Sequence, residues 1–227
     1  MRNIQREGQE IQSALWDGLP PVWNGKDAIL ELKSAEYQWK QMEWIGWYFE
    51  WKAKRVLIGK LGGSDGPKYG NTRFDYRKEF VWDLKAHPGN SRTLFTILND
   101  VEAIDRSIRE FGTIGFILAV GTVGYDESGS FKPWHDGLKG GVSRYEEERV
   151  LRGAKSRRRK ISFEVENYLT FALDREDIVR GLSEGWLRDT FQKGMRNADG
   201  SSRRAKYSIR LDRIPQDLSL CDMAERH

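Results

Sequence analysis

Cysteine and histidine are scarce in this sequence. The 227 residues include one cysteine, Cys221, and three histidines, His87, His135 and His227. A single cysteine excludes an intrachain disulfide and any zinc site built on cysteine ligands. The three histidines are scattered along the chain, which argues against a histidine-rich metal site.

Long apolar runs are also missing. The sequence has no stretch of about 18 apolar residues, so it predicts no transmembrane helix. Its first residues, MRNIQREGQEIQ, lack the apolar core of a signal peptide. Together with the scarcity of cysteine, these absences predict an intracellular protein with no membrane partner.

The residues that are present predict a globular protein. Hydrophobic residues make up 38% of the chain and charged residues 32%, and tryptophan occurs nine times. This length and balance predict one large domain, or one domain with a small appendage, around a single hydrophobic core.

The basic residues are clustered. The net charge of +4 is a modest excess, but segment 152–160, RGAKSRRRK, contains six basic residues and no acidic residue. A second basic stretch, RRAKYSIRLDR, spans residues 203–213. Separated basic patches on a balanced chain indicate a polyanionic partner. Before other features are considered, a solvated basic loop explains them about equally well.

The pattern of apolar residues predicts the elements of the first half of the chain. A helix is predicted over residues 26–60. The Gly-rich stretch 59–71 lacks the G-K-[ST] ending of a phosphate-binding P-loop, so we expect a flexible connector there. A hairpin is predicted over residues 72–87, and the next helix is expected to have Asn99 or Asp100 as its cap.

A buried strand is the clearest later element. Residues 113–123, TIGFILAVGTV, are almost continuously apolar, which predicts a strand buried on both faces. A helix leading into such a strand predicts a mixed central β-sheet flanked by helices, in the α/β (α+β) class. Weaker patterns predict a turn-rich entry over the first 25 residues, a strand over 161–173, a helix over 175–195 and a basic strand over 203–211.

The predicted hairpin carries an unusual set of charges. Asp83 and Lys85 are two residues apart on a strand, so their side chains share a face, and Asp75 lies just upstream. Burying an acid and a base on one face is costly unless they pair or hold a metal. The simplest alternative is an exposed hairpin with a solvated, ion-paired face.

Two acidic residues lie on the predicted helix before the hairpin. Glu43 and Glu50 are seven residues apart, so they share a helix face, and Gly46 between them would allow another backbone to approach closely. Trp44, Trp47 and Trp51 occupy a neighbouring face and are expected to anchor the helix to the sheet. The alternative is an amphipathic helix whose acids face water.

This order of residues resembles the PD-(D/E)XK nuclease superfamily, best known from type II restriction endonucleases. A helix acid is followed by Asp75, then by Asp83-Leu84-Lys85 on a strand, then by a helix and a buried strand. In this resemblance Asp75 matches the first acid of the motif, Asp83 the second acid and Lys85 the lysine. Glu50 looks like the acid that many members supply from their first helix.

The resemblance covers about residues 40–123, and Phe74 replaces the proline that the family often has before the first acid. It implies a restriction-endonuclease-like core and a single nuclease domain over 1–227, with the catalytic core at about 26–125 and a DNA-binding elaboration at about 126–227. It further implies Mg²⁺-dependent cleavage of double-stranded DNA at a short specific sequence, in the cytoplasm of a prokaryotic cell. A palindromic target would imply a homodimer.

The resemblance also assigns roles. Asp75 and Asp83 would hold Mg²⁺ together with the backbone carbonyl of Leu84, since Mg²⁺ usually takes only one or two carboxylates and keeps several waters. Lys85 would orient the attacking water or help to deprotonate it, and would offset negative charge. Glu50 would hold a second metal ion or a metal-bound water.

Further residues are candidates with weaker support. Glu43 is an alternative to Glu50, and His87 shares the strand face of Lys85, although a histidine at a strand end is more often structural. A loop containing Trp134, His135 and Lys139 is a candidate to face DNA, and the favoured alternative for Trp134 is a role as an anchor of that loop. The residues predicted to contact DNA are Arg157, Arg158, Arg159, Lys160, Lys139, Arg203 and Arg204.

Two other functions remain open from the sequence. A DNA repair nuclease or a junction resolvase uses the same kind of active site. A non-catalytic DNA- or RNA-binding protein would instead use its acidic residues as ion-pair partners of its many arginines.

Overall fold

The computed structural model describes residues 2–89, 95–142, 144–154, 156–190 and 204–220. Within these ranges it has seven α-helices: α1 (Arg2–Gly18), α2 (Gly25–Ser34), α3 (Trp44–Leu61), α4 (Val101–Phe111), α5 (Phe131–Leu138), α6 (Arg144–Leu151) and α7 (Arg175–Glu184). The strands are β1 (Val22–Asn24), β2 (Lys68–Tyr69), β3 (Thr72–Arg73), β4 (Tyr76–Arg77), β5 (Val81–Pro88), β6 (Phe95–Asp100), β7 (Ile114–Tyr125), β8 (Lys160–Leu173), β9 (Leu187–Thr190) and β10 (Lys206–Arg210). No helix in the described ranges is long and apolar enough to cross a membrane.

A mixed five-stranded sheet lies at the centre, in the order β1-β8-β7-β5-β4. Strands β5 and β7 are parallel, with Val81 opposite Ile114, and the other neighbours are antiparallel. Parallel strands require a crossover connection, and here it contains β6 and α4. Strand β6 belongs to a second sheet, β6-β10-β9, and β2 pairs with β3. The predicted mixed sheet flanked by helices, in the α+β class, is confirmed.

Two hydrophobic cores lie on opposite faces of the central sheet. Helices α1, α2 and α3 contribute to the first core, and helices α4 and α7 with the second sheet contribute to the other. Successive residues of β7 alternate between them, with Ile117 in the first core and Phe116 and Leu118 in the second. The prediction that this strand is buried on both faces is confirmed.

The helix predicted over 26–60 is wrong in one respect, because the chain forms two helices there. Residues 35–43 separate α2 from α3, and Glu36 and Gln38 in this connection have positive φ angles of 53° and 41°. Such angles are uncommon for residues other than glycine and are incompatible with a continuing right-handed helix. The connection is important for the site described below.

Helix α1 is missed by the sequence pattern, which predicts a polar, turn-rich entry. Its buried face contains Ile4, Ile11 and Leu15, but also Glu7. The Glu7 carboxylate accepts a hydrogen bond from the Trp82 indole N–H at 2.8 Å. A charged residue in the middle of the buried face conceals the amphipathic pattern.

Other differences have local causes. Helix α7 ends well before residue 195 because Gly185 adopts a left-handed conformation with φ of 78°, and β9 then pairs with β10. Asp100 is the residue before α4, but its side chain makes no capping bond, since its carboxylate accepts bonds from Thr72 and Lys206 instead. Strand β6 and helix α5 were not predicted, because each is short.

The Gly-rich stretch 59–71 is packed closely against the hairpin, which differs from the flexible connector that was predicted. A Cβ atom at Gly66 would lie 2.6 Å from the carbonyl oxygen of Phe74, and one at Gly63 would lie 2.5 Å from that of Arg77. Both distances are too short for a side chain, so glycine permits this approach. The packing supports the short segment that carries Asp75.

Candidate active site

The two aspartates predicted as metal ligands lie side by side. Asp75 directly precedes β4 and Asp83 lies on β5. The backbone N–H of Asp75 donates to the Trp82 carbonyl at 3.1 Å, and the Asp75 carboxylate accepts from the N–H of Leu84 at 2.7 Å. Asp75 is 7% exposed and Asp83 is 1% exposed. The alternative of an exposed hairpin with a solvated face is therefore wrong.

The position of the pair follows from the sheet. Strand β4 pairs only with Val81 and Trp82 of β5. From Asp83 onward, the described part of the sheet has β7 on one side of β5 and no strand on the other. The acidic pair consequently lies near an edge of the sheet, where its neighbours bury it.

Lys85 is in direct contact with Asp83. Its ammonium Nζ lies 2.5 Å from Asp83 Oδ2 and 3.3 Å from the carbonyl oxygen of Leu84. The structure thus brings together the carboxylate, the carbonyl and the lysine that the sequence placed in one site. The ammonium lies between the two oxygens predicted as metal ligands.

Burial and mutual repulsion shift the ionisation of these groups. Burial raises the pKa of Asp75 well above its ordinary value, and the neighbouring Asp83 charge raises it further. Burial alone would lower the pKa of Lys85, but the attraction of Asp83, Asp75 and Glu50 outweighs it and raises the pKa. The lysine therefore stays positively charged. Its single charge does not fully offset the negative charges of the nearby carboxylates.

Glu50 faces the same cluster from α3. Its Oε1 accepts a short hydrogen bond from the hydroxyl of Tyr37, and its charge acts on both Asp75 and Lys85. Burial, followed by the bond to Glu50, raises the pKa of Tyr37, so the hydroxyl remains a donor. Tyr37 lies in the 35–43 connection, between the two residues with positive φ.

Glu43 is in a different environment. It is the residue before α3 and pairs with Lys160 at 2.6 Å, with half of its side chain exposed. The close approach expected at Gly46 is wrong, because a Cβ atom there would have no atom within 4 Å among the described residues. The predicted anchoring is confirmed, since Trp44 is buried in the first core and Trp47 and Trp51 pack against it.

The sequence did not predict two residues that belong to the site, Asn99 and Tyr37. Asn99 of β6 donates from Nδ2 to Asp83 Oδ1 at 3.2 Å, although the sequence suggested only a capping role for it. Tyr37 was not identified from the sequence, because it lies within the single helix predicted over 26–60.

His87 is buried and shares a 2.5 Å hydrogen bond between its Nδ1 and Thr96 Oγ1, which joins β5 to β6.

The oxygen atoms of the site fit a hard cation that needs only a few ligands from the protein. Among the described residues, no group of three or more His, Cys, Asp or Glu side chains is arranged to hold a metal ion. Asp75 and Asp83 supply two carboxylates and Leu84 a carbonyl, which is compatible with Mg²⁺, since that ion keeps most of its waters. In the free protein Asp83 Oδ2 is paired with the Lys85 ammonium at 2.5 Å, so a cation bound by this oxygen would have to share it with Lys85 or displace the ammonium.

Most residues predicted to contact DNA have acidic neighbours. Lys139 pairs with Asp136 at 2.8 Å, Arg158 pairs with Glu127, and Lys160 pairs with Glu43 as described above. The Arg158–Glu127 pair is exposed, where an ion pair contributes little stability, whereas Asp136 is buried.

The remaining basic candidates differ. Arg204 is 4.0 Å from Asp100 and 3.9 Å from Glu102, and Arg203 lies outside the described residues. Arg157 and Arg159 form no ion pair within the described ranges, so their charges are the least compensated.

The predicted DNA-facing loop is a helix. Trp134 and His135 belong to α5, where His135 is buried and hydrogen-bonds through Nε2 to the Trp39 carbonyl at 3.0 Å. Trp134 packs against the first core. Their packing roles explain why a polar, Gly-rich sequence forms an ordered element here.

Comparisons with protein-family models, with curated proteins and with solved structures find no match to this chain. The resemblance to nucleases therefore rests on the order of the residues in the sequence.

Proposed function

We propose that this protein is a Mg²⁺-dependent nuclease with a PD-(D/E)XK-like active site, which hydrolyses phosphodiester bonds in double-stranded DNA. The observation that carries the proposal is the burial of Asp75 and Asp83 near a sheet edge, with Lys85 paired to Asp83 and Asp75 bonded to the intervening Leu84 N–H. Buried ionisable groups of this kind cost stability and concentrate at functional sites. Within this class we favour a type II restriction endonuclease that acts as a homodimer in the cytoplasm of a prokaryotic cell.

Each side chain has a task in this reaction. Asp75, Asp83 and the carbonyl of Leu84 would hold Mg²⁺, which supplies charge stabilisation for the phosphate and lowers the pKa of a bound water. Lys85 neutralises Asp83 in the free protein, and it would orient the attacking water and offset charge on the phosphate when substrate is present. Tyr37 fixes the orientation of Glu50, which would hold a second metal ion or a water.

A non-catalytic nucleic-acid-binding protein is the second candidate. The ion pair between Lys85 and Asp83 favours it, because the pair compensates the buried carboxylate without a metal ion. A repair nuclease or a junction resolvase would share the active site proposed above and would differ in its substrate.

Incubation of the purified protein with plasmid DNA and Mg²⁺ tests these functions. Discrete fragments are expected for a restriction enzyme. Nicking confined to branched or damaged DNA would indicate repair or resolution. Binding without cleavage, over a range of Mg²⁺ and Mn²⁺ concentrations and with DNA of varied sequence, would contradict the nuclease proposal and favour the second candidate.

A further inference from the structure

A basic cleft lies at the N-terminal end of α3. It is formed by residues 40–42, by α5 and α6, and by Arg152, Ala154, Ser156, Arg157 and Arg159, and its volume is about 630 Å³. That volume is within the range of ligand-binding cavities. The basic residues that line the cleft are Lys40, Lys139, Arg149, Arg152, Arg157 and Arg159.

The two acidic residues of the cleft do not cancel this charge. Asp136 pairs with Lys132 at 2.6 Å and with Lys139 at 2.8 Å. Glu146 pairs with Arg149 at 2.8 Å and also with Lys132. Hydrogen bonds from Arg149 are the main reason that the pKa of Glu146 falls to about 2. Both acids are therefore ionised and already paired.

Four cations remain without an acidic partner in the described ranges. They are Lys40, Arg152, Arg157 and Arg159, and each lines the cleft. Like charges gathered around one cavity repel each other, so the cleft is complementary to an anion with several negative charges. Arginine is suited to phosphate because its planar group can donate two parallel hydrogen bonds.

The cleft is joined to the candidate active site through the start of α3. The Trp44 indole donates to the Lys160 carbonyl at 2.8 Å, and Lys160 pairs with Glu43. Glu50 lies seven residues further along the helix, at a rise of about 1.5 Å per residue, which is about 10 Å.

We propose that the cleft binds the phosphodiester backbone of the substrate DNA, away from the phosphate that is cleaved. This inference rests on the nuclease function proposed above. A free nucleotide offers the same phosphate chemistry, but among the described residues of the cleft the one aromatic side chain is His135, whose ring is held by a hydrogen bond to the Trp39 carbonyl. The lining therefore favours a backbone ligand.

Arg158 provides a control within the same segment. It lies between Arg157 and Arg159, yet it pairs with Glu127 and its guanidinium is 4.7 Å from the centre of the Tyr125 ring. Arg158 does not line the cleft. Arg158 therefore differs from Arg157 and Arg159, although the sequence predicts that all three contact DNA.

The test compares two double variants that remove the same charge. Arg157→Ala with Arg159→Ala removes cleft arginines, whereas Arg144→Ala with Arg158→Ala removes two exposed arginines outside the cleft. Binding of a fluorescent DNA duplex is measured without divalent metal, over a range of salt concentrations. The first variant should bind at least about tenfold more weakly at low salt, and its slope of log affinity against log salt should fall by about two. The second should change the slope by less than about half a unit.

Two controls keep the result interpretable. Thermal unfolding must show that both variants fold, and Arg157→Lys with Arg159→Lys should restore most of the salt slope because it keeps the charges. Equal losses in the two Ala variants, or an unchanged slope in the cleft variant, would overturn the proposal. Displacement of DNA by low-micromolar ATP, lost only in the cleft variant, would also overturn it in favour of a nucleotide site. Because binding is measured without cleavage, these outcomes do not depend on whether the nuclease proposal succeeds.

Discussion

The candidate active site and the basic cleft are both charged clusters, but they differ in burial and balance. Asp75 and Asp83 are almost completely buried and share one lysine, whereas Arg157 in the cleft is exposed and has no acidic partner in the described ranges. The stability of a buried charge depends on its charged neighbours, because removing one of them leaves the other buried without a compensating charge. Surface cations act more independently, each adding its own contribution to phosphate binding. We therefore expect changes at the site to be severe and changes in the cleft to be graded.

The largest effect is expected for Asp83→Asn. This change removes the charge of one proposed metal ligand and of the partner of Lys85 with little change in volume, so cleavage should fall by about 1000-fold or more. Binding of DNA through the cleft should be largely retained. Plasmid cleavage and duplex binding are measured in parallel, with Asp105→Asn on α4 as the control. Cleavage at close to the wild-type rate by a correctly folded Asp83→Asn would show that the site is wrongly assigned.

The two helix acids should differ strongly. Glu50→Gln should reduce cleavage by about 100-fold, because Glu50 faces the aspartates and the lysine. Glu43→Gln should change it by less than about threefold, since Glu43 is half-exposed and pairs with Lys160. Rates are measured with substrate in excess of the binding constant of each variant. The reverse ranking would contradict the placement of Glu50 in the site.

A smaller effect is expected for Tyr37→Phe. Loss of the hydroxyl removes a hydrogen bond to a charged group and should lower kcat by about tenfold with little change in KM. Tyr69→Phe, which removes a similar bond to Glu110, is the matched control and should leave kcat unchanged. A change in KM alone would mean that Tyr37 supports substrate binding rather than the orientation of Glu50.

The smallest effect concerns stability and pH. The pKa of Asp75 is raised in the folded protein, so the folded state binds a proton more readily than the unfolded chain. Stability from this group is greatest in acid and declines as pH rises from about 3.9, the ordinary pKa of aspartate, through the raised value. Asp75→Asn should therefore raise Tm at pH 8 by a few degrees without metal, and the gain should vanish near pH 4. A gain of equal size at both pH values would contradict the burial and repulsion of the charged Asp75 carboxylate as its cause.

Short-range sequence patterns correctly predicted the features that depend only on neighbouring residues of one strand. Alternation along a strand places Asp83 and Lys85 on one face, and continuous apolar character predicts burial of β7 on both faces. The same rules do not reveal α1, because Glu7 interrupts its buried face and is accommodated only through Trp82. A distant partner decides whether such a residue can be buried.

The surroundings of the site depended on tertiary structure. Tyr37 reaches Glu50 only because the chain turns at Glu36 and Gln38, and Asn99 reaches Asp83 only because β6 lies next to β5. The sequence likewise treated Arg157, Arg158 and Arg159 as equivalent, but a single acid, Glu127, separates the middle one from its neighbours.

The sequence by itself determined the kinds of charged residue available, their order and the strand face shared by Asp83 and Lys85, because side-chain direction on a strand follows from backbone geometry alone. Tertiary structure decided which charges became buried together and which were left uncompensated in the cleft. Burial and ion pairing depend on segments that are far apart in the chain, such as Glu43 with Lys160 or Trp39 with His135. No short-range pattern contains that information, since it exists only after the packed layers have formed.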